Sequence, residues 1–272
     1  MIEISYTGSC DPAQRLDLYL PSAQEGPQAE ALPVVIWVHG GAWRHRTRRD
    51  EGPRLATFFA EAGYLFASVD HRYAPNPADP MAKEAHRHPC QIEDVAAAIG
   101  WIYAHVAAYG GDPNRILLIG HSSGAHLVTL AAVHATYLRR AGVPRAAIRG
   151  VASLDVRAYD IPTLLAEASP EVLLMYHNAF GREPADWRDA SPGLQIGLGK
   201  RLPPMLVVVR GDPQSQRIKR EFAASLRRAG GTVRILEVPL LSHAEVRERL
   251  GAGRESEMSR AVLDFFALVS GP

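Results

Sequence analysis

Gly120-His121-Ser122-Ser123-Gly124 sets a serine between two glycines, after an apolar run ending at Ile119 and before a helical pattern. A serine hydroxyl becomes an exposed nucleophile when a sharp strand-to-helix turn projects it from a sheet edge, and flanking glycines leave room for that approach. Its attack on a carbonyl creates an oxyanion, which needs fixed donors. His39-Gly40-Gly41-Ala42-Trp43 follows a second apolar run, 33–38, and offers glycine-loop N–H groups. The donors are assigned to Gly41, Ala42 and Ser123. His39 is read as structural, and Trp43 as a wall of the substrate pocket. A plain glycine turn explains either motif alone; together they point to acyl transfer.

Such a serine needs a base. Of eleven histidines, only His177 and His243 lie after Ser122 and outside its helix. His177 sits in an irregular stretch. His243, in Leu241-Ser242-His243 just past the last predicted strand, is the assigned base, because a loop there can swing it over the sheet edge. His105, His126 and His134 are read as helix residues. A carboxylate must hold the imidazole in the right tautomer. Asp212, between a strand at 204–209 and a helix, is assigned to it. Two alternatives stay open: Asp155, ending the preceding strand, is the rival acid, and Asp212 in Gly211-Asp212-Pro213 also reads as a helix N-cap or turn residue.

No metal is expected: H-E-x-x-H and C-x-x-C are absent, and His86-Arg87-His88 reads as an exposed loop. Nucleotide cofactors are not expected either, since both G-x-G-x-x-G and the P-loop pattern are missing. Arg44, Arg46, Arg48, Arg49 and Arg54 form a basic run that reads as a solvated loop, or alternatively as a bias of the site mouth toward anionic substrates.

The elements that must position these residues follow from periodicity. Alternating segments at 2–6 and 15–20 predict an antiparallel pair. Residues 21–32 read as an exposed loop. The run 33–38 predicts a strand buried on both faces. Further strands are predicted at 64–69, 115–119, 148–154, 204–209 and 232–238, and helices at 52–61, 91–108, 123–140, 214–229 and 255–268. Strands alternating with helices imply a mostly parallel sheet covered on both sides. The stretch 155–202 has no clean period and is expected to be a short lid-like excursion.

Composition narrows the classes. The 272 residues fit one large α/β domain, and 47% hydrophobic with 22% charged residues is ordinary globular usage. Thirty Lys+Arg against 29 Asp+Glu argue against a nucleic-acid binder. Two cysteines, Cys10 and Cys90, cannot build a disulfide framework, and a reduced, cytoplasmic protein is expected. Neither a signal segment, a bilayer-spanning run nor a lipidation motif is predicted.

The chain resembles the α/β-hydrolase superfamily, in the serine carboxylesterase branch that holds hormone-sensitive lipase, arylformamidase and feruloyl and acetyl-xylan esterases. The resemblance rests on His39-Gly40-Gly41-Ala42-Trp43, Asp70-His71-Arg72-Tyr73-Ala74-Pro75, Gln91-Ile92-Glu93-Asp94-Val95, Tyr109-Gly110-Gly111-Asp112-Pro113 and Gly120-His121-Ser122-Ser123-Gly124-Ala125-His126-Leu127. It implies an α/β fold with an eight-stranded, mostly parallel sheet and a small cap or none. It also implies a Ser–Asp–His triad that cleaves short-chain or aryl esters without a cofactor. Formamide hydrolysis is the alternative, and a non-catalytic binder the remote one. Ala42 stands where lipase-like members have a third glycine, and Ser123 where alanine is usual. The expected partner is a small-molecule ester, with at most a second copy of the chain, and neither nucleic acid nor membrane.

Overall fold

Every position from Val34 to Val38 carries an apolar side chain, and the two faces of the strand use alternate members. Val34, Ile36 and Val38 enter one core; Val35 and Trp37 enter the other, and all five are fully buried. That is how a central parallel strand with helices on both sides comes to read as a continuous apolar run.

The computed structural model describes residues 1–20, 30–75, 86–134, 136–197 and 201–271. The elements run β1 (Ile2–Ser5), β2 (Arg15–Tyr19), β3 (Leu32–Val38), α1 (Arg48–Glu61), β4 (Leu65–Val69), α2 (Cys90–His105), β5 (Gly111–His121), α3 (Ser123–Val133) and α4 (Tyr137–Arg140). Then come β6 (Ile148–Leu154), α5 (Ile161–Ala166), α6 (Pro170–Phe180), α7 (Pro184–Asp189), β7 (Met205–Val209), α8 (Pro213–Arg228), β8 (Val233–Glu237), α9 (His243–Arg249) and α10 (Glu257–Val269). The eight strands form one sheet in the order β1-β2-β4-β3-β5-β6-β7-β8. β2 pairs antiparallel with both β1 and β4, and all other pairings are parallel. The expected mostly parallel, eight-stranded α/β sheet is therefore present. Helices α2 and α3 cover one face through residues such as Ile92, Ile99 and Val128. Helices α1 and α10 cover the other through Leu55, Phe59, Val262 and Phe266.

The structure departs from the sequence reading at several elements. Helix α1 starts at Arg48 rather than 52. The Thr47 side chain accepts from Arg49 N–H, and Asp70 Oδ1 accepts the Arg48 N–H at 2.5 Å, so a distant carboxylate supplies part of the cap. The helix predicted over 123–140 stops at Val133. There His134 turns to extended backbone and its Nε2 meets Asp189 Oδ1 at 3.1 Å. The irregular stretch after β6 contains α5, α6 and α7. Of the loop predicted over 21–32, residues 21–29 lie outside the described residues, and Leu32 already belongs to β3.

The arginine run is not a solvated loop. Arg48 is buried and pairs with Asp17, Asp70 and Glu3. Arg49 pairs with Asp17 and Glu3, and Arg46 with Asp50 and Glu51. Arg54 donates to the carbonyls of Leu250 and Arg247. Three of the five arginines, Arg46, Arg48 and Arg49, are matched by carboxylates, those of Arg48 and Arg49 lying far off in the chain. His88, in the loop read as exposed, also has a partner. His88 Nε2, His134 Nε2 and Tyr137 Oη converge on the Asp189 carboxylate at 2.8, 3.1 and 2.6 Å. This knot fastens the end of α7 to the starts of α2 and α4 and the end of α3.

Candidate active site

Parallel strands put their C-terminal ends on one edge, and four of them deliver the candidate residues there. β3 runs into Gly41 and Ala42, β5 into Ser122, β6 into Asp155, and β8 into the turn before His243. Register aligns them: Val38 pairs with Gly120, and His121 with Leu154. The Ser122 N–H also donates to Leu154 O at 3.0 Å, so Ser122 and Asp155 follow directly on a paired rung.

Backbone strain marks the same edge. Five non-glycine residues among those described have positive φ, and four of them, Ala42, Trp43, Ser122 and Asp155, line one cleft. Such conformations cost about 1–3 kcal/mol each and cluster where function requires them. Ser122, at φ 54° and ψ −123°, precedes the first residue of α3. The turn is possible because a Cβ on Gly124 would run into the carbonyl of Val38. Only glycine lets α3 start this close to β3.

The cleft is open, has a volume of about 230 Å³, and is lined by Ala42, Trp43, Ser122, Asp155 and His243 among others. Neither the Gly41 nor the Ala42 N–H has an acceptor among the described residues. Ser123 opens α3 and has the free N–H that every helix start leaves. The loop is held from behind: His39 Nδ1 donates to Gly40 O at 2.7 Å, its Nε2 lies 3.3 Å from Asp70, and its ring stacks on His71.

His243 is the first residue of α9 and half exposed, with Ser242 and Glu245 forming a capping box beneath it. Its Nδ1 lies 2.6 Å from Asp155 Oδ2. The carboxylate beside the imidazole is therefore Asp155 and not Asp212. Asp212 instead caps α8, its Oδ1 accepting the Ser215 N–H at 2.7 Å, and it reaches the cleft only as part of the rim. The cap reading of Gly211-Asp212-Pro213 is the one the structure bears.

Asp155 is buried and saturated. Arg210 Nη1 donates to its Oδ2 at 2.7 Å, and Lys219 Nζ donates to its Oδ1. Burial pushes this carboxyl up, but the His243 hydrogen bond and the charges of Lys219 and Arg210 outweigh it and hold it well below the usual carboxylate range. Sequence reasoning passes over both Lys219 and Arg210. A signal existed for Lys219: it interrupts the buried stripe Ser215, Lys219, Phe222, Ala223, Leu226 of α8, where a lysine must have a partner. His121 is a further supporting residue. Its Nε2 donates to His243 O at 2.9 Å, and the two rings lie 4.4 Å apart. Burial, reinforced by His243, pushes the His121 imidazole down to about 3, so it is a neutral donor.

Trp43 lines the cleft but is almost wholly buried. Its Nε1 donates to His126 Nδ1 at 3.2 Å, and its ring meets Tyr176 and Phe180 edge-on. It ties α6 to the glycine loop. His177 stacks on Trp187 in α7 and is not among the residues that line the cleft. Among the described residues no group of His, Cys, Asp and Glu is arranged to hold a metal ion.

Comparison with known proteins agrees with the fold. The BD-FAE family matches residues 16–143. Esterase LipC of Mycobacterium tuberculosis is 32% identical over 73% of this chain and 48% of its own length. The probable carboxylic ester hydrolase LipM of the same organism is 30% identical over 98% of this chain and 61% of its own. Esterase B from Lactobacillus rhamnosis superimposes with a TM-score of 0.78 at 23% identity, covering 98% of this chain and 84% of that one. The chain has the α/β-hydrolase fold, and the relatives it matches are esterases. On this fold the serine, the imidazole and the carboxylate share one sheet edge. The chain spans between about half and three-fifths of the two curated relatives named here.

Proposed function

We infer that the chain is a serine carboxylesterase whose triad is Ser122, His243 and Asp155. The observation that carries the reading is the 2.6 Å contact of His243 Nδ1 with a buried, saturated carboxylate, in the cleft that Ser122 lines from a strained turn. Ser122 Oγ attacks the ester carbonyl while His243 Nε2 takes its proton. Asp155 holds the imidazole tautomer and stabilises the imidazolium. The oxyanion rests on the N–H groups of Gly41, Ala42 and Ser123. Collapse breaks the C–O bond and the alcohol leaves with the proton from His243. Water, activated by the same imidazole, then releases the acid and restores Ser122. No step needs a metal or cofactor.

A cleft of about 230 Å³ is smaller than the roughly 300–1,000 Å³ of pockets that enclose drug-sized ligands. Short acyl groups suit it, with an aryl group resting against the Trp43–Tyr176 wall. Two free thiols, Cys10 and Cys90, suit a reducing compartment such as the cytoplasm. No helix among the described residues is long and apolar enough to cross a membrane.

Ser122→Ala tests the reading. It should lower the rate on p-nitrophenyl acetate by roughly 10³-fold or more while the urea midpoint stays put. A serine-directed phosphonate should label Ser122. Full activity in the variant, or labelling at Ser123, overturns the assignment.

A further inference from the structure

Beyond Ser122 and His243 the cleft has a second, polar half. Arg157 lines it two residues past Asp155, half-buried. Its Nη2 donates to Gln214 Oε1 at 3.0 Å, while its Nε is buried with no hydrogen-bond partner. No carboxylate lies within ion-pair distance of its guanidinium among the described residues. Asp155 is taken by His243, Arg210 and Lys219. Asp212, at the rim, accepts the neutral Ser215 N–H, keeps its charge and feels Arg157 from beyond ion-pair distance, so three cations, Arg157, Arg210 and Lys219, stand against two carboxylates around the cleft. Tyr176 lines the same cleft from α6, and its hydroxyl has no hydrogen-bond partner among the described residues. Burial pushes that phenol up, against the nearby Arg157 charge, so it stays a donor.

A cation without an ion-pair partner, where positive charge exceeds negative by one, beside an unpartnered phenol in the cleft that Ser122 lines, is a receptor for an anion that arrives with the substrate. We propose that the preferred ester carries a carboxylate in its acyl or alcohol part, bound by Arg157 with Tyr176 donating to it. Guanidinium donors match a carboxylate in charge and shape, and charge-assisted hydrogen bonds of this kind are the strong ones. One unpaired cation in a small cleft suits a single negative charge. The arginine run after the glycine loop cannot serve, because most of its charge is already matched. The proposal rests on the Ser122–His243–Asp155 reading and names the substrate class of that site.

The test compares two matched pairs at low ionic strength: monomethyl adipate with methyl hexanoate for the acyl side, and para-acetoxybenzoate with methyl para-acetoxybenzoate for the alcohol side. The readout is the charged-to-neutral ratio of kcat/KM, taken in the unmodified protein and in Arg157→Gln. Taking the ratio between proteins cancels the intrinsic reactivities of the esters. In one pair the ratio should fall by roughly ten- to a hundredfold in Arg157→Gln. Arg157→Lys should restore part of it, and Tyr176→Phe should lower it more mildly. Added salt should shrink the preference of the unmodified protein. Ratios that Arg157→Gln leaves unchanged in both pairs, with neutral esters still cleaved by Ser122, overturn the proposal alone. Neutral esters cleaved equally well by Ser122→Ala overturn the catalytic reading and the proposal with it.

Discussion

The ammonium of Lys219 is fully buried and donates to Oδ1 of Asp155, while His243 Nδ1 meets the other oxygen, Oδ2, at 2.6 Å. Its remaining donors reach Arg210 O and Ser215 Oγ, each at 2.9 Å. Helix α8 thus reaches under the cleft and fixes the carboxylate from behind.

Removing a charged hydrogen-bond partner from a buried carboxylate costs about 1–3 kcal/mol where, as here, Arg210 still pairs with Asp155. Lys219→Met should therefore lower the unfolding free energy by roughly 1–3 kcal/mol, read from urea denaturation. It should also slow ester hydrolysis, because Asp155 loses one of its anchors. An unchanged midpoint would show that the ammonium contributes nothing.

Asp155 and Asp212 are separable by kinetics. Asp155→Asn should reduce kcat by about 10²–10⁴ with a modest change in KM, as expected for loss of the carboxylate that orients a catalytic imidazole. Asp212→Asn keeps a capping oxygen on α8 and should cost far less. Asp212→Ala should cost about 1 kcal/mol of stability through the lost cap. The reverse ranking in kcat would return the acid to the loop after β7.

Acid should unfold the protein early. Burial pushes His71 down to about 4 and His121 and His126 down to about 3, from an ordinary 6.5. A histidine with a depressed folded pKa is protonated more readily in the unfolded chain. Its contribution is complete above 6.5 and is lost as pH falls toward the folded value. Each ring removes about 1.4 kcal/mol per pH unit in that window. Between pH ~7.5 and ~5.5 the three together should lower stability by roughly 4 kcal/mol. His121→Gln should remove about a third of the dependence. Equal urea midpoints at the two pH values would contradict the buried, neutral state of these rings.

What the sequence made legible was local. β3 announced itself because both its faces are buried, and Ser122 because a serine between two glycines, at the junction of a strand and a helix, is placed for attack. The acid was not legible. Asp155 and Asp212 both end parallel strands, and only the paths of the α9 turn and of α8 decide which one His243 reaches. The strongest local signal at Asp212, a proline immediately after it, belonged to its cap. The arginine run misled for a related reason: its partners, Glu3 and Asp17, lie more than thirty residues upstream, beyond any local pattern. Helices α5 and α7 escape a reading by period because six residues are too few to show a 3.6-residue repeat. Their caps were visible in part, as Asp160 before Ile161-Pro162 and Glu183 before Pro184.

The hydrogen bond from Ser122 N–H to Leu154 O has a mechanical consequence. The proposed nucleophile and carboxylate ride on one pair of central strands, so their backbones come apart only if β5 parts from β6. The imidazole arrives from elsewhere, on a turn whose neighbour Leu240 is 95% exposed. Thermal fluctuation therefore acts on the two halves unequally. On the proposed triad, small local openings should lift His243 away and let it return while the sheet beneath stays closed, so that activity fades reversibly below the temperature at which the fold melts.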